Sequence, residues 1–204
     1  MNIALIGASG NIGSRIAAEL LRRGHTITGI ARQPERIGPQ PGLKAATGDF
    51  TVPAQLANVL RGHDAVISAA SFIPGQAEKL IEAARASGVR RLLIVGGAAS
   101  LLTAPDGQRL FDTIQFPEAW KAPVEEGMRT LKLLRGVTDL DWTFFSPAAL
   151  IGPGERTSKF RLGTDVVVKD AEGNSRISYD DYAIAMVDEL EQGKHIKARF
   201  TIGY

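Results

Sequence analysis

The chain has 204 residues, 44% hydrophobic and 23% charged, with no cysteine and a formal net charge of +2. The length suits one well-buried domain, and the missing thiols exclude disulfides, thiolate metal sites and a cysteine nucleophile. So small a charge, without a run of about five basic residues, argues against a nucleic-acid partner, and no apolar run of about 18 residues is present to span a membrane.

In chain order, residues 2–6 (NIALI) form a continuous apolar run ended by glycine, the pattern of a strand buried on both faces. Residues 11–23 follow with helical spacing at Ile12, Ile16, Ala17, Leu20 and Leu21, stopped by Gly24. The unit then repeats. Strands are expected at 25–31, 43–47, 64–69, 91–95 and 141–146, and helices at 51–60, 76–87 and 117–134. Six strand periods alternating with helices give an α/β fold, a doubly wound and mostly parallel sheet with helices on both faces.

Two regions break the rhythm. Residues 98–116 read as a long loop directly after the fifth strand, a feature that is uncommon in compact domains and often functional. Beyond Pro147 come a Gly/Pro-rich turn, a short strand at 165–169, a terminal helix at 178–190 and a last strand at 198–202. Ser178, with Asp181 three residues on, has the look of a capping box. Residues 1–204 are read as one domain, with 146–204 forming a small C-terminal substrate lobe on the sheet's edge. No signal peptide precedes the first strand, which leads to the expectation of a cytoplasmic protein.

Gly7, Gly10 and Gly13 (GASGNIG) lie between the first strand and the first helix. A glycine-rich turn alone means only a permissive backbone, but between a strand and a helix it suits a pyrophosphate. Gly7 and Gly10 let the ligand approach, Gly13 lets the helix lie close to the strand, and the helix N-terminus offers unpaired donors. No Lys-Ser/Thr pair follows the last glycine, so a P-loop is excluded. Arg32 stands at the end of the second strand, where NAD sites carry an acid. Its guanidinium can pair with a 2′-phosphate, and NADP(H) is therefore expected over NAD(H), the alternative being an arginine solvated on a loop.

With these residues the chain resembles the atypical short-chain dehydrogenase/reductases, within the NAD(P)H-binding group that holds NmrA-like proteins and biliverdin/flavin reductases. The likeness is carried by GASGNIGSRI (7–16), GIAR (29–32), GDF (48–50), DAVISAA (64–70), the segment DWTFFSPAALIGPGERTSKFRLGTD (141–165) and NSRISYDDYAIAMVDELE (174–191). It implies an NAD(P)-binding Rossmann fold. Position by position it implies Ser9, Asn11 and Ile12 at the pyrophosphate, Arg32 at the 2′-phosphate, and Asp49 and Phe50 at the adenine. It further implies Ala69, Ala70 and Ser71 at the ribose, and Pro147 and Ala148 near the nicotinamide. Typical members carry Tyr-x-x-x-Lys on the helix before the sixth strand, and the corresponding FPEAWKAPVEEGMRTLKLL contains no tyrosine.

That departure shapes the expected activity. Carbonyl reduction needs a positioned acid, whereas a flavin or quinone takes hydride and draws its proton from water, so the enzyme need only orient two planar rings. The expectation is an NADPH-dependent reductase of a planar flavin- or quinone-like acceptor, with flavin as substrate. The alternatives are an NmrA-like NADP(H) sensor without turnover and, further off, an epimerase or dehydratase. Ser100 and Lys121 are the candidate catalytic side chains, set against a serine satisfied in a turn and a solvated lysine. Trp120 is a pocket wall or, more simply, core. Tyr179 and Tyr182 pack the terminal helix, His25 and His63 are surface turn residues, Asp141 is a turn acid, and Arg22-Arg23 and Arg90-Arg91 are solvated helix ends. The three histidines lack metal-ligand spacing, so no metal is expected, and no feature indicates an oligomer.

Overall fold

The computed structural model describes residues 1–49 and 52–204. Its first unit is β1 (Asn2–Ile6), α1 (Asn11–Arg22) and β2 (Thr26–Ala31). There follow β3 (Leu43–Thr47), α2 (Pro53–Leu60), β4 (Ala65–Ser68), α3 (Gln76–Ser87) and β5 (Arg91–Val95). The long connection after β5 holds a one-turn α4 (Leu110–Thr113) before α5 (Glu118–Leu134) and β6 (Asp141–Ser146). The last part comprises β7 (Leu150–Gly152), β8 (Arg161–Gly163), β9 (Arg176–Ser178), α6 (Tyr179–Gln192) and β10 (Ala198–Gly203).

One eight-stranded sheet has the order β3-β2-β1-β4-β5-β6-β10-β8. Neighbours are parallel up to β10, and β8 closes the edge antiparallel to it. The strands lack alternation because both faces are covered: Ile3, Ala4, Leu5, Val66, Ile67, Leu92 and Leu93 have no exposed surface. On one face Ile16 and Leu20 of α1 pack with Tyr182, Ala183 and Met186 of α6. On the other lie Leu56 and Leu60 of α2, Leu80 and Ala84 of α3, and Leu131 and Leu134 of α5. The chain adds strands one way from β1 to β3 and the other way from β4 onward. A crevice for ligands therefore opens outside the carboxyl ends of β1 and β4.

The C-terminal residues depart most from expectation. The strand expected at 165–169 lies instead at 161–163, which takes the free edge of β10 through Thr201, Ile202 and Gly203. Residues 165–167 turn away to the long connection, where Leu102 N–H donates to Asp165 O and Val167 N–H donates to Leu102 O. β7 and β9 form a separate parallel pair, with Leu150 opposite Arg176.

The cap of α6 is half as expected. Ser178 Oγ accepts from Asp181 N–H at 3.0 Å. The returning arm is missing, since Ser178 N–H donates to Tyr204 Oη. The Asp181 carboxylate instead accepts from Thr157 Oγ1 at 2.6 Å, Ser158 N–H at 2.8 Å and Tyr204 Oη at 2.8 Å. Burial disfavours this charge, but those donors outweigh it and hold the carboxyl below its ordinary value.

The expectations for Arg23, Arg91 and Trp120 are corrected. Arg23 is not solvated: its side chain is 16% exposed and binds Glu19, Asp188 and Glu191. Arg91 is 13% exposed and binds Glu189 and Thr143, while Arg22 and Arg90 do face solvent. His25 bonds Glu191, and His63 bonds Thr28 and Leu60 O, so both tie turns to neighbouring elements. Trp120 is not core; it is 64% exposed. Tyr182 is core, with its hydroxyl donating to Phe145 O at 2.6 Å and its ring stacked on Phe145.

Candidate functional site

The glycine loop is shaped by the strands on either side of it. Gly7 has φ +81°, and a Cβ there would lie 2.8 Å from Ala69 O at the end of β4. A Cβ on Gly13 would lie 2.1 Å from Gly7 O, so only glycine lets α1 sit this close to the turn. Gly10 differs. Its Cβ would meet only Gly7 O, at 3.3 Å, leaving its outer side open to an approaching group. Gly7 is thus required by the backbone beside it, and Gly10 is the glycine that keeps the approach clear.

Gly10 is also the N-cap of α1, and no side chain caps the helix. The first turn carries no acid, and Ser14 N–H, bonded to Gly10 O, begins the intrahelical ladder. N–H groups ahead of that point are the donors that any helix start leaves free, and they carry its partial positive charge. Ser9, Gly10 and Asn11 are exposed, and Ile12 is half-buried. A cradle of this kind suits a pyrophosphate.

The other expected residues sit on the same edge of the sheet. Gly7 N–H donates to Ile30 O, and Gly48 N–H donates to Ala31 O, bringing the ends of β2 and β3 up to the loop. Arg32 follows, exposed, and the nearest acid along the chain is the exposed Glu35. Asp49 comes directly after Gly48. Phe50 lies outside the described residues. Ala69 and Ala70 border Gly7 directly, and Ser71 is exposed beyond them.

Around the ends of β5 and β6 the packing is aromatic. Phe72, following Ser71, stacks on Phe144 with centroids 6.2 Å apart and lies over Gly127 of α5, where an added Cβ would come within 3.1 Å of its ring. A Cβ on Gly96 would strike the Phe144 ring at 2.4 Å. Pro147 and Ala148 are buried beneath the surface at the end of β6. Ser146, one residue earlier, was not marked by any sequence pattern. It has no exposed surface, and its Oγ is the buried side-chain oxygen among the described residues that lacks a partner.

Neither candidate catalytic side chain stands free. Ser100 Oγ accepts from Arg199 Nη1 at 3.2 Å, and Arg199 is itself bound to Asp165. Lys121 is exposed and paired with Glu118 at 2.6 Å. Asp141 sits at the opposite, amino end of the sheet beside Arg90. Among the described residues no cluster of His, Cys, Asp or Glu could hold a metal ion, and no helix is long and apolar enough to cross a membrane.

The rim of this edge is apolar. Val52, Ile73, Ile114, Trp120 and Leu150 are exposed large hydrophobics, and each lies on a connection leaving the carboxyl end of a parallel strand. Met1 and Ile196, also exposed, precede strands at the other end, and Leu162 is exposed on the edge strand β8.

The likeness to known proteins agrees with this arrangement. Residues 7–193 match the family described as NAD(P)H-binding. A Burkholderia pseudomallei protein provisionally described as exported is 47% identical, with a TM-score of 0.90 and full coverage of both chains. A provisionally assigned epimerase of Bacteroides thetaiotaomicron is 43% identical, with a TM-score of 0.93, covering 100% of this chain and 96% of that one. A provisionally assigned NADH-flavin reductase of Streptococcus pneumoniae is 35% identical, with a TM-score of 0.81, covering 100% and 99%. The glycine loop, the strand order and the family match lead to one conclusion: the chain belongs to the NAD(P)H-binding family and has its oxidoreductase-like Rossmann fold.

Proposed function

We propose that the protein is an NADPH-dependent reductase that passes hydride to a planar, flavin- or quinone-like acceptor. The observation that carries this is the apolar rim, with Ile73, Ile114, Trp120 and Leu150 exposed around the carboxyl ends of β4, β5 and β6. We read these exposed side chains, all on connections leaving that edge, as the wall of an apolar ligand site. The chemistry of the helix supports it. α5 carries no tyrosine, and Lys121 is exposed and paired with Glu118, so the reading favours an acceptor that needs no side-chain acid.

A bound nicotinamide brings hydride donation; the residues bring position. The donors at the start of α1 hold the pyrophosphate, and Gly10 leaves it room. Arg32, exposed after β2, takes the 2′-phosphate, a charge-assisted contact worth about 1.5–3 kcal/mol. Pro147 and Ala148 form the floor at the end of β6, and the apolar rim excludes water above it. The acceptor gains an electron pair with one proton as hydride, and its second proton comes from solvent. A protein that works this way gains rate through orientation and desolvation.

The absence of a tyrosine from α5 also favours a second reading, a sensor that binds NADP(H) without turnover. A panel of NADPH and NADH against flavins, quinones and simple ketones separates the two. Faster NADPH oxidation with flavin or quinone, and none with ketones, is the expected result. Tight NADPH binding with no acceptor raising oxidation above background would establish the sensor instead.

A further inference from the structure

Trp120 is a large aromatic side chain left 64% exposed on the first turn of α5. That turn stands at the carboxyl end of the sheet, because α5 leaves the long connection after β5 and runs back toward the start of β6. Its direction around the helix follows from spacing. Trp120 and Gly127 are seven residues apart, which places them on one face within about 20° and about 10 Å apart along the axis. The Gly127 face is fixed by contact: a Cβ there would lie 3.1 Å from the Phe72 ring. Phe72 in turn follows Ser71 and packs against Phe144. The face that carries Trp120 is therefore the one that meets the ends of β4 and β5, about two turns farther out.

Nothing in the first turns of α5 buries this indole. Residues 118–123 are all exposed, and burial of the helix begins at Glu126 and Gly127. Pro123 sits inside the helix. It has no N–H to return to Ala119 O, so the turn carrying Trp120 joins the rest through an incomplete ladder and can adjust its angle. In the connection that leads into α5, the Phe111 and Phe116 rings stack 5.7 Å apart, with Arg109 over Phe111.

We propose that Trp120 is the platform on which the acceptor ring stacks, making it a specificity-determining residue for planar, fused-ring acceptors. The inference rests on the reductase reading for the acceptor's chemistry. An indole offers a flat apolar face and loses little freedom on stacking, and base-sized rings on such faces gain enough to shift affinity by about tenfold or more. The nearby charges, Glu118 and Lys121, are already paired with each other, so the face presented is that of the ring.

The test uses the full chain and an inert pair, NADP+ with oxidised riboflavin or menadione, so that binding is read without turnover. Equilibrium dialysis of wild type, Trp120→Ala and Trp120→Phe is the first readout. Alanine should weaken acceptor binding about tenfold, phenylalanine should restore most of it, and NADP+ affinity should stay within about twofold. Under NADPH turnover, the same alanine variant should raise the acceptor KM by a similar factor. If wild type fails to turn over but still binds either ring in a Trp120-dependent way, the reductase reading fails and the platform stands. Equal binding by wild type and Trp120→Ala, or no binding of either ring by wild type, overturns the platform whatever the turnover.

Discussion

At the scale of single residues, each glycine of the loop does something different. Gly7 and Gly13 are demanded by backbone, from Ala69 O and from Gly7 O, while Gly10 alone leaves open space for a ligand. Their spacing in the chain, G-x-x-G-x-x-G, could not separate these roles, because the Gly7 contact comes from Ala69, more than fifty residues on, and the Gly13 contact depends on how the turn folds back on Gly7 O. Arg32 is the residue with the sharpest consequence. Placed exposed after β2, it should carry most of the preference for a 2′-phosphate. Arg32→Ala should weaken NADPH about ten- to a hundredfold and leave NADH within about twofold. Titration of both cofactors into both proteins checks this, and equal losses would remove the assignment.

At the scale of elements, the alternation of apolar runs with helical spacing was enough to place β1 to β6 and α1, α2, α3 and α5, since each is a local pattern; the one-turn α4 falls inside the stretch read as a loop, too short to show a period. What it could not show is which charged side chains fold inward. Arg23 reads as the polar end of a helix, yet it is drawn against α6 by Asp188 and Glu191. Glu19, beside it, is 5% exposed and accepts from Arg22, Arg23 and Arg156. Burial alone would raise its pKa, but the three guanidiniums outweigh burial and lower it from 4.5 to about 2. A carboxyl with a depressed folded pKa contributes stability that is complete above its unfolded value and lost as pH falls through the folded one. Glu19→Gln should therefore lower stability at neutral pH and flatten the decline between about pH 5 and pH 2. The loss should fall below the about 3–5 kcal/mol of a broken buried pair, because Arg23 keeps Asp188 and Glu191. Urea unfolding of both proteins across that range measures it, and parallel pH profiles would show that the Glu19 carboxylate makes no such contribution.

At the scale of the whole molecule, the carboxyl edge of the sheet gathers the glycine loop, Arg32 and the apolar rim into one region. The glycine loop and Arg32 were legible in the sequence, because GASGNIG and GIAR lie at strand ends whatever the rest of the chain does. The exposed apolar side chains beside them were not. Trp120 sits in a helical pattern that reads equally as core, and only the packing of Gly127 on Phe72 shows which way its face turns. Ser146 closes β6 with a buried hydroxyl, and no residue type or spacing foretold it. The C-terminal strands depended on long-range pairing, so the 165–169 expectation fell a few residues from β8. The central claim is hydride transfer from NADPH to a planar acceptor at this edge. The most direct measurement is anaerobic mixing of the NADPH-loaded protein with riboflavin, following cofactor oxidation and flavin bleaching together. The expected result is matched, one-to-one loss of both signals, faster than without protein and slower when NADH replaces NADPH. Tightly bound NADPH that leaves the flavin oxidised at the uncatalysed rate would contradict the account.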